Sequence, residues 1–117
     1  MQYLLLIYLG EAWDQLSLAT RQQIYGEQLQ LAHQLTASGQ YRGGAPLHPP
    51  STATSVRVRD GKRLVTDGPF AETREQLGGY MLIDVTGRDE AIAIAARGAV
   101  ARVGTVEVRP VREGPPT

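Results

Sequence analysis

Thr66-Asp67-Gly68-Pro69-Phe70-Ala71-Glu72-Thr73-Arg74-Glu75-Gln76-Leu77-Gly78-Gly79-Tyr80-Met81-Leu82-Ile83-Asp84 is the densest run of unusual chemistry in the chain. A Gly-Pro turn, a short acidic stretch, a Gly-Gly pair and an apolar strand follow one another. Gly79 to Val85 reads as the strand. Tyr80, Leu82 and Asp84 point one way, and Met81, Ile83 and Val85 the other. Thr86-Gly87-Arg88-Asp89-Glu90 then opens a helix with acids in its first turn, as the helix dipole favours. Ile92, Ala95, Ala96 and Ala99 form its narrow apolar stripe, and small alanines allow close approach to a sheet. Thr105 to Arg109 is a last alternating strand, ended by Pro110.

Upstream, Tyr3-Leu4-Leu5-Leu6-Ile7-Tyr8 is apolar on both alternating faces, the mark of a central strand. A helix follows Glu11 to Asp14, capped by Ser17 or Thr20. Ile24, Leu31 and Leu35 cluster at one angle, with Tyr25, Leu29 and Ala32 beside them. The arc spans about 160°, wide enough to lie on a sheet. Gln28 falls inside it and is expected at the rim of the contact, the alternative being a buried polar contact in a pocket. Gly39 ends the helix. Tyr41 to Leu47, rich in glycine and proline, reads as an irregular edge strand.

Ser55 to Arg59 and Lys62 to Val65 flank Asp60-Gly61, a hairpin signal. Two registers are possible. A two-residue loop sets Val58 opposite Arg63. A three-residue loop over Arg59, Asp60 and Gly61 sets Val56 opposite Leu64 and gathers Val56, Val58 and Leu64 on one face. The second separates apolar from basic residues better and is the expected one, with Gly61 at positive φ.

The order is strand, helix, edge strand, hairpin, strand, helix, strand. Its core is βαββαβ, so the expected fold is α+β, ferredoxin-like, with an extra β-hairpin. Both helices should cover one sheet face. The other face calls for a second subunit, so a homodimer is expected. With 117 residues, one domain over residues 1–112 is the natural reading. Residues 113–117 read as a disordered tail.

Lysine plus arginine and aspartate plus glutamate are both 12. That balance gives no global field for nucleic acid or an anionic membrane. The chain has no cysteine, which excludes disulfides and thiolate chemistry and fits a reducing compartment. No apolar run approaches the ~20 residues of a membrane span, and the short apolar start reads as a strand rather than a signal peptide. A cytoplasmic protein is expected.

Asp67 leads the candidate residues. It stands at a strand end before Gly68-Pro69, where it can serve as a general acid or base, or as a turn aspartate bonding its own backbone. His48, in the loop after the edge strand, either pairs with Asp67 as an imidazole–carboxylate dyad or lies exposed. A ligand at this site is expected to meet Gly68, Phe70, Glu72, Arg74 and Tyr80. Each has a structural alternative. Phe70 suits the core. Glu72 and Glu75 would share a face of a short helical turn, Glu75 in solvent. Tyr80 lines a cavity or packs under a helix. Gly78-Gly79 reads as a bulge rather than an anion cradle, and no Lys-Ser or Lys-Thr pair follows to make it a phosphate loop. His33 belongs on the surface. Two histidines far apart make no metal site, and no cofactor is expected.

Tyr3 to Tyr8, Thr54-Ser55-Val56-Arg57, the motif Asp67-Gly68-Pro69-Phe70 and Gly104 to Pro110 together resemble the YCII-related proteins, in particular the subgroup with the Asp-Gly-Pro-Phe motif. Arg74 stands where such proteins typically carry lysine. The resemblance implies a dimeric α/β barrel, in which two ferredoxin-like sheets face each other. It implies no single reaction. Enzymes of varied chemistry share that barrel, which leaves a small-molecule enzyme as one expectation. A non-catalytic regulatory partner of a sigma-factor-type transcription system is the other.

Overall fold

The computed structural model describes residues 1–115. Strand β1 (Gln2–Gly10) leads through one helical turn, α1 (Glu11–Asp14), into the long helix α2 (Leu18–Ala37). Then come β2 (Tyr41–Pro46), β3 (Thr54–Arg59), β4 (Lys62–Asp67), β5 (Glu75–Asp84), α3 (Arg88–Arg97) and β6 (Thr105–Pro110). Short 3-10 turns at Pro50–Thr52 and Ala99–Arg102 join neighbouring elements. Four strands form one antiparallel sheet in the order β2-β5-β1-β6, with the β3–β4 hairpin apart as a two-stranded ribbon. Without the ribbon this is the ferredoxin-like βαββαβ plan.

The helices cover one sheet face. Tyr3, Leu5, Met81 and Ile83 meet Leu31 and Leu35 of α2 and Ile94 of α3 in the main core. Leu35 is 1% exposed, and burying such a side chain contributes about 1.5–3 kcal/mol. A second cluster joins Ile7, Trp13, Ile24, Ala99 and Val100. The alternate β1 residues Leu4, Leu6 and Tyr8 are only half-buried, since no layer among the described residues covers their face. Across the strands Leu4 lies opposite Leu82 and Leu6 opposite Tyr80. No described helix is long and apolar enough to cross a membrane.

The ends of α2 follow local chemistry. Ser17 is the N-cap, its hydroxyl accepting from the Thr20 amide at 3.1 Å. Gly39, at φ +78°, closes the other end. Its amide donates to the Thr36 carbonyl, and the Gln40 amide donates to the Leu35 carbonyl at 2.8 Å.

Several expectations need correction. The hairpin takes the two-residue loop: Val58 pairs with Arg63, Val56 with Val65 and Arg59 with Lys62. Asp60 at φ 51° and Gly61 at φ 71° are both left-handed, the geometry of a type I′ turn. The expected register assumed a buried face to sort onto. Every ribbon residue except Ser55 is exposed, so turn geometry decides. The positive φ of Gly61 holds in either register.

In α3 the buried residues are Ala91, Ile94 and Ala95, one position before the expected stripe. Ile92 and Ala96 are exposed. The helix stops at Arg97, and Ala99 and Val100 enter the core from the 3-10 turn that follows. β5 begins at Glu75, so there is no helical turn for Glu72 and Glu75 to share. The bulge lies inside the strand: Ile7 faces Gly79, Tyr8 faces Leu77, and Gly78 is the extra residue. Phe70 is 79% exposed, outside the core. Of the expected tail, residues 116 and 117 lie outside the described residues, and Glu113 to Pro115 are exposed.

Candidate functional site

A cavity of 590 Å³ opens between α2 and the β2–β5 edge of the sheet. Small residues make the room. A Cβ on Gly44 would come within 2.5 Å of the Tyr80 carbonyl oxygen and 3.0 Å of the Tyr41 hydroxyl, so only glycine allows this approach of β2. Leu29 and Ala32 of α2 form the roof, with Ile7 and Met81 on the floor.

The polar side chains on the wall are few: Gln28, His48 and the tyrosines Tyr25 and Tyr41, while Tyr80, opposite Leu6, borders the cavity by its main chain and carries its ring on the open sheet face. Aspartate, glutamate, lysine and arginine are absent from it. His48, exposed in the loop after β2, is the one imidazole on the wall.

Gln28 departs from its expected place. The residue is half-buried, as a rim position would be, but its carboxamide turns inward. Nε2 lies 3.5 Å from Met81 Sδ, and Oε1 is buried without a hydrogen-bond partner among the described residues. Gly98 makes way for it: a Cβ there would stand 3.0 Å from Oε1.

A second pocket, of 400 Å³, adjoins the first and shares Leu9, Tyr25, Leu47, His48 and Gly78 with it. Its character differs, because Asp14, Arg21 and Arg74 also line it. Arg21 is fixed in place. Its guanidinium donates to the Trp13 and Asp14 carbonyls at 3.2 and 2.6 Å and lies 5.7 Å from the Trp13 ring centre.

The fold thus brings His48 and Tyr80 to the first cavity and Arg74 to the second. Asp67, Gly68, Phe70 and Glu72 line neither. Asp67 ends β4 opposite Thr54 and is exposed. Among the described residues its carboxylate has no hydrogen bond or ion pair, so the turn does not use the side chain. Main-chain contacts hold it instead: the Gly68 amide donates to the Ala53 carbonyl at 2.7 Å, and Ser55 Oγ donates to the Gly68 carbonyl at 2.8 Å. His33 is on the surface as expected. Among the described residues no three His, Cys, Asp or Glu side chains are grouped to hold a metal.

The shifted titrations lie on the open sheet face, away from the cavity. The Met1 ammonium, 3.1 Å from Asp84, and then Arg42 hold that carboxyl below its ordinary value. Glu107 accepts from Arg109 at 3.0 Å and raises the guanidinium above its usual value.

The sequence did not single out Tyr25 and Tyr41 as cavity walls. The signal available was the small-residue run Gly43-Gly44-Ala45 facing a helix, which reads equally as irregular edge strand.

A ferredoxin-like domain with an inserted ribbon and an apolar cavity under its long helix is the class this fold defines. Within that class the chain belongs to the YCII-related family, whose domain matches residues 1–114. A protein of Rhizobium meliloti (strain 1021) is 45% identical over 69 residues, which span 57% of this chain and 56% of that relative. Among solved structures, 5-chloro-2-hydroxyhydroquinone dehydrochlorinase (TftG) of Burkholderia phenoliruptrix AC1100, in complex with 2,5-dihydroxybenzoquinone, has a similar fold. It aligns with a TM-score of 0.59 over 97% of this chain and 96% of its own, at 14% identity.

Proposed function

We propose that this chain is a small-molecule-binding protein that works as a homodimer, with its ligand in the 590 Å³ cavity. The cavity carries the reading. Its size falls in the range of small-molecule sites, and its walls are apolar with a few convergent polar groups. The dehydrochlorinase of similar fold, solved with a small ring compound, supports the same ligand class. The open face with Leu4, Leu6 and Leu82 supports the dimer. Residues 1–112 act as one domain, and the absence of cysteine supports a cytoplasmic setting.

Catalysis in this reading is acid–base chemistry at Asp67 and His48. Asp67 lies on the ribbon outside the cavity of its own chain. It can act on a bound ligand only if another surface meets the ribbon, and in this reading the second subunit supplies that surface. Gly68, Phe70 and Glu72 follow it in the loop after β4, likewise outside the cavity, while Arg74 serves the ligand from the second pocket and Tyr80 from the open face of β5. The alternative is a regulatory partner tied to a sigma-factor-type system. The exposed apolar side chains Val56, Val58, Leu64, Val65 and Phe70 favour that second reading.

A thermal-shift screen with a metabolite library, repeated on Asp67→Asn with a turnover assay on each hit, separates these readings. Hits that bind both proteins but turn over only on wild type support catalysis. Hits that bind both equally without turnover leave a binding module. An absence of any hit counts against the ligand site itself. Light scattering at micromolar concentration should give about twice the chain mass; a monomer would reject the dimer, whose interface should exceed ~1,000 Å².

A further inference from the structure

We propose that the two pockets form one bipartite site whose ligand is an apolar carboxylic acid. Its apolar body fills the 590 Å³ cavity, and Arg21 holds its carboxylate in the pocket beside it. This rests on the cavity being the ligand site.

The first observation is where Arg21 points. Leu18, Arg21, Gln22 and Tyr25 all line the second pocket. Their spacing, i, i+3, i+4 and i+7, is one face of α2, so that face looks into the pocket. Arg21 is half-buried and held in place. Nε and Nη2 donate to the Trp13 and Asp14 carbonyls, against the Trp13 ring. Those bonds tie α1 to α2 and engage one edge of the planar fork. The Nη1–Nη2 edge has no acceptor, and the guanidinium no ion pair, among the described residues. A carboxylate meets such an edge with two parallel hydrogen bonds.

The second observation is the distribution of charge. The cavity wall carries no carboxylate, ammonium or guanidinium, so a charge placed there would lose its hydration and gain no counter-charge. The second pocket has Arg21 and Arg74 against Asp14. That balance suits a single negative charge. A phosphate dianion would be repelled more strongly by Asp14.

The third observation is reach. Tyr25 belongs to both walls, and Arg21 stands one helical turn before it, about 5–6 Å between Cβ atoms. The Tyr25 ring meets the Trp13 ring edge-on at 5.2 Å, so an aromatic wall runs from the cavity to the guanidinium. A carboxylate on a short arm spans that step.

The test uses two probes of matched shape at neutral pH: 1-naphthaleneacetate, ionised, and 1-naphthaleneacetamide, uncharged. Binding is followed by chemical shifts on the full chain. The Ala45 and Met81 amides report on the cavity, and the Arg21 Nε–H on the second pocket. Wild type should bind the acid about tenfold more tightly than the amide, with both reporters moving, and salt should shrink the advantage. Arg21→Gln should bind the acid as weakly as the amide, with the affinity for the amide kept. Equal affinity of wild type for both probes, with cavity shifts, would overturn the carboxylate site and leave the cavity as a ligand site. Acid that moves the Arg21 signal but no cavity amide would overturn the bipartite site. Failure of both probes to move any cavity amide would overturn the cavity reading as well. The wild-type comparison and its salt dependence stand even if Arg21→Gln loosens α1.

Discussion

The sheet and the ribbon obey different rules. In the sheet, β1 and β5 each bury alternate side chains under two helices, and Ile83 is 0% exposed. In the ribbon, Val56, Val58 and Val65 are each about 60% exposed. The radius of gyration is 16.1 Å, against about 13 Å for a compact chain of this length, in keeping with a projecting ribbon. Where a core exists, hydrophobic pattern sets register, because a slip of one residue would turn the buried set outward. Where none exists, the turn sets it.

Four measurements test that contrast. The largest effect belongs to the sheet. Ile83→Ala should destabilise by about 2–5 kcal/mol in a denaturant titration, because it opens a cavity in packed surroundings. A loss under about 1 kcal/mol would mean that the sheet is no better packed than the ribbon. Next comes the turn: Gly61→Val should cost about 1–2 kcal/mol, since a β-branched residue is strained at φ 71°. Unchanged stability would show that the turn does not govern the ribbon.

Val58→Ala, on the ribbon, should stay within about 0.5 kcal/mol in dilute solution. If its effect grows with protein concentration, the ribbon is packed in an assembly and the contrast belongs to the free chain alone. The smallest effect is at Asp84. Its carboxyl is held below the ordinary value in the folded chain, so its contribution is present above the unfolded carboxylate value. It is lost as pH falls through the lower folded value. The advantage of wild type over Asp84→Asn should therefore fade in acid, and salt should shrink it at neutral pH. A difference unchanged from neutral to strongly acid pH would remove the ion pair as its cause.

The same contrast explains what could be read from residues alone. The strand order, the arc of α2, its end at Gly39 and the edge position of β2 all follow from periodicity and glycine placement against a core. The ribbon register could not follow from periodicity, since Val56, Val58 and Leu64 have no buried surface to sort onto. The α3 stripe was misplaced by one position because its alanines at 91, 93, 95 and 96 carry almost no facial contrast. The site was half legible. His48 and Tyr80 reach the cavity wall, but Asp67, the residue the motif stresses most, does not. Gln28 was visible as a polar break in an apolar arc, yet which way its carboxamide turns depends on Gly98, seventy residues later in the chain.

The ribbon also bears on solubility. A lone pair of strands has two open edges, each a template for a strand from another molecule. Here Arg57 and Arg59 lie on one strand and Lys62 and Arg63 on the other. When ribbons of separate chains meet edge to edge, cations approach cations. These four side chains therefore act as gatekeepers against fibril growth, on the very segment whose valines would otherwise promote it.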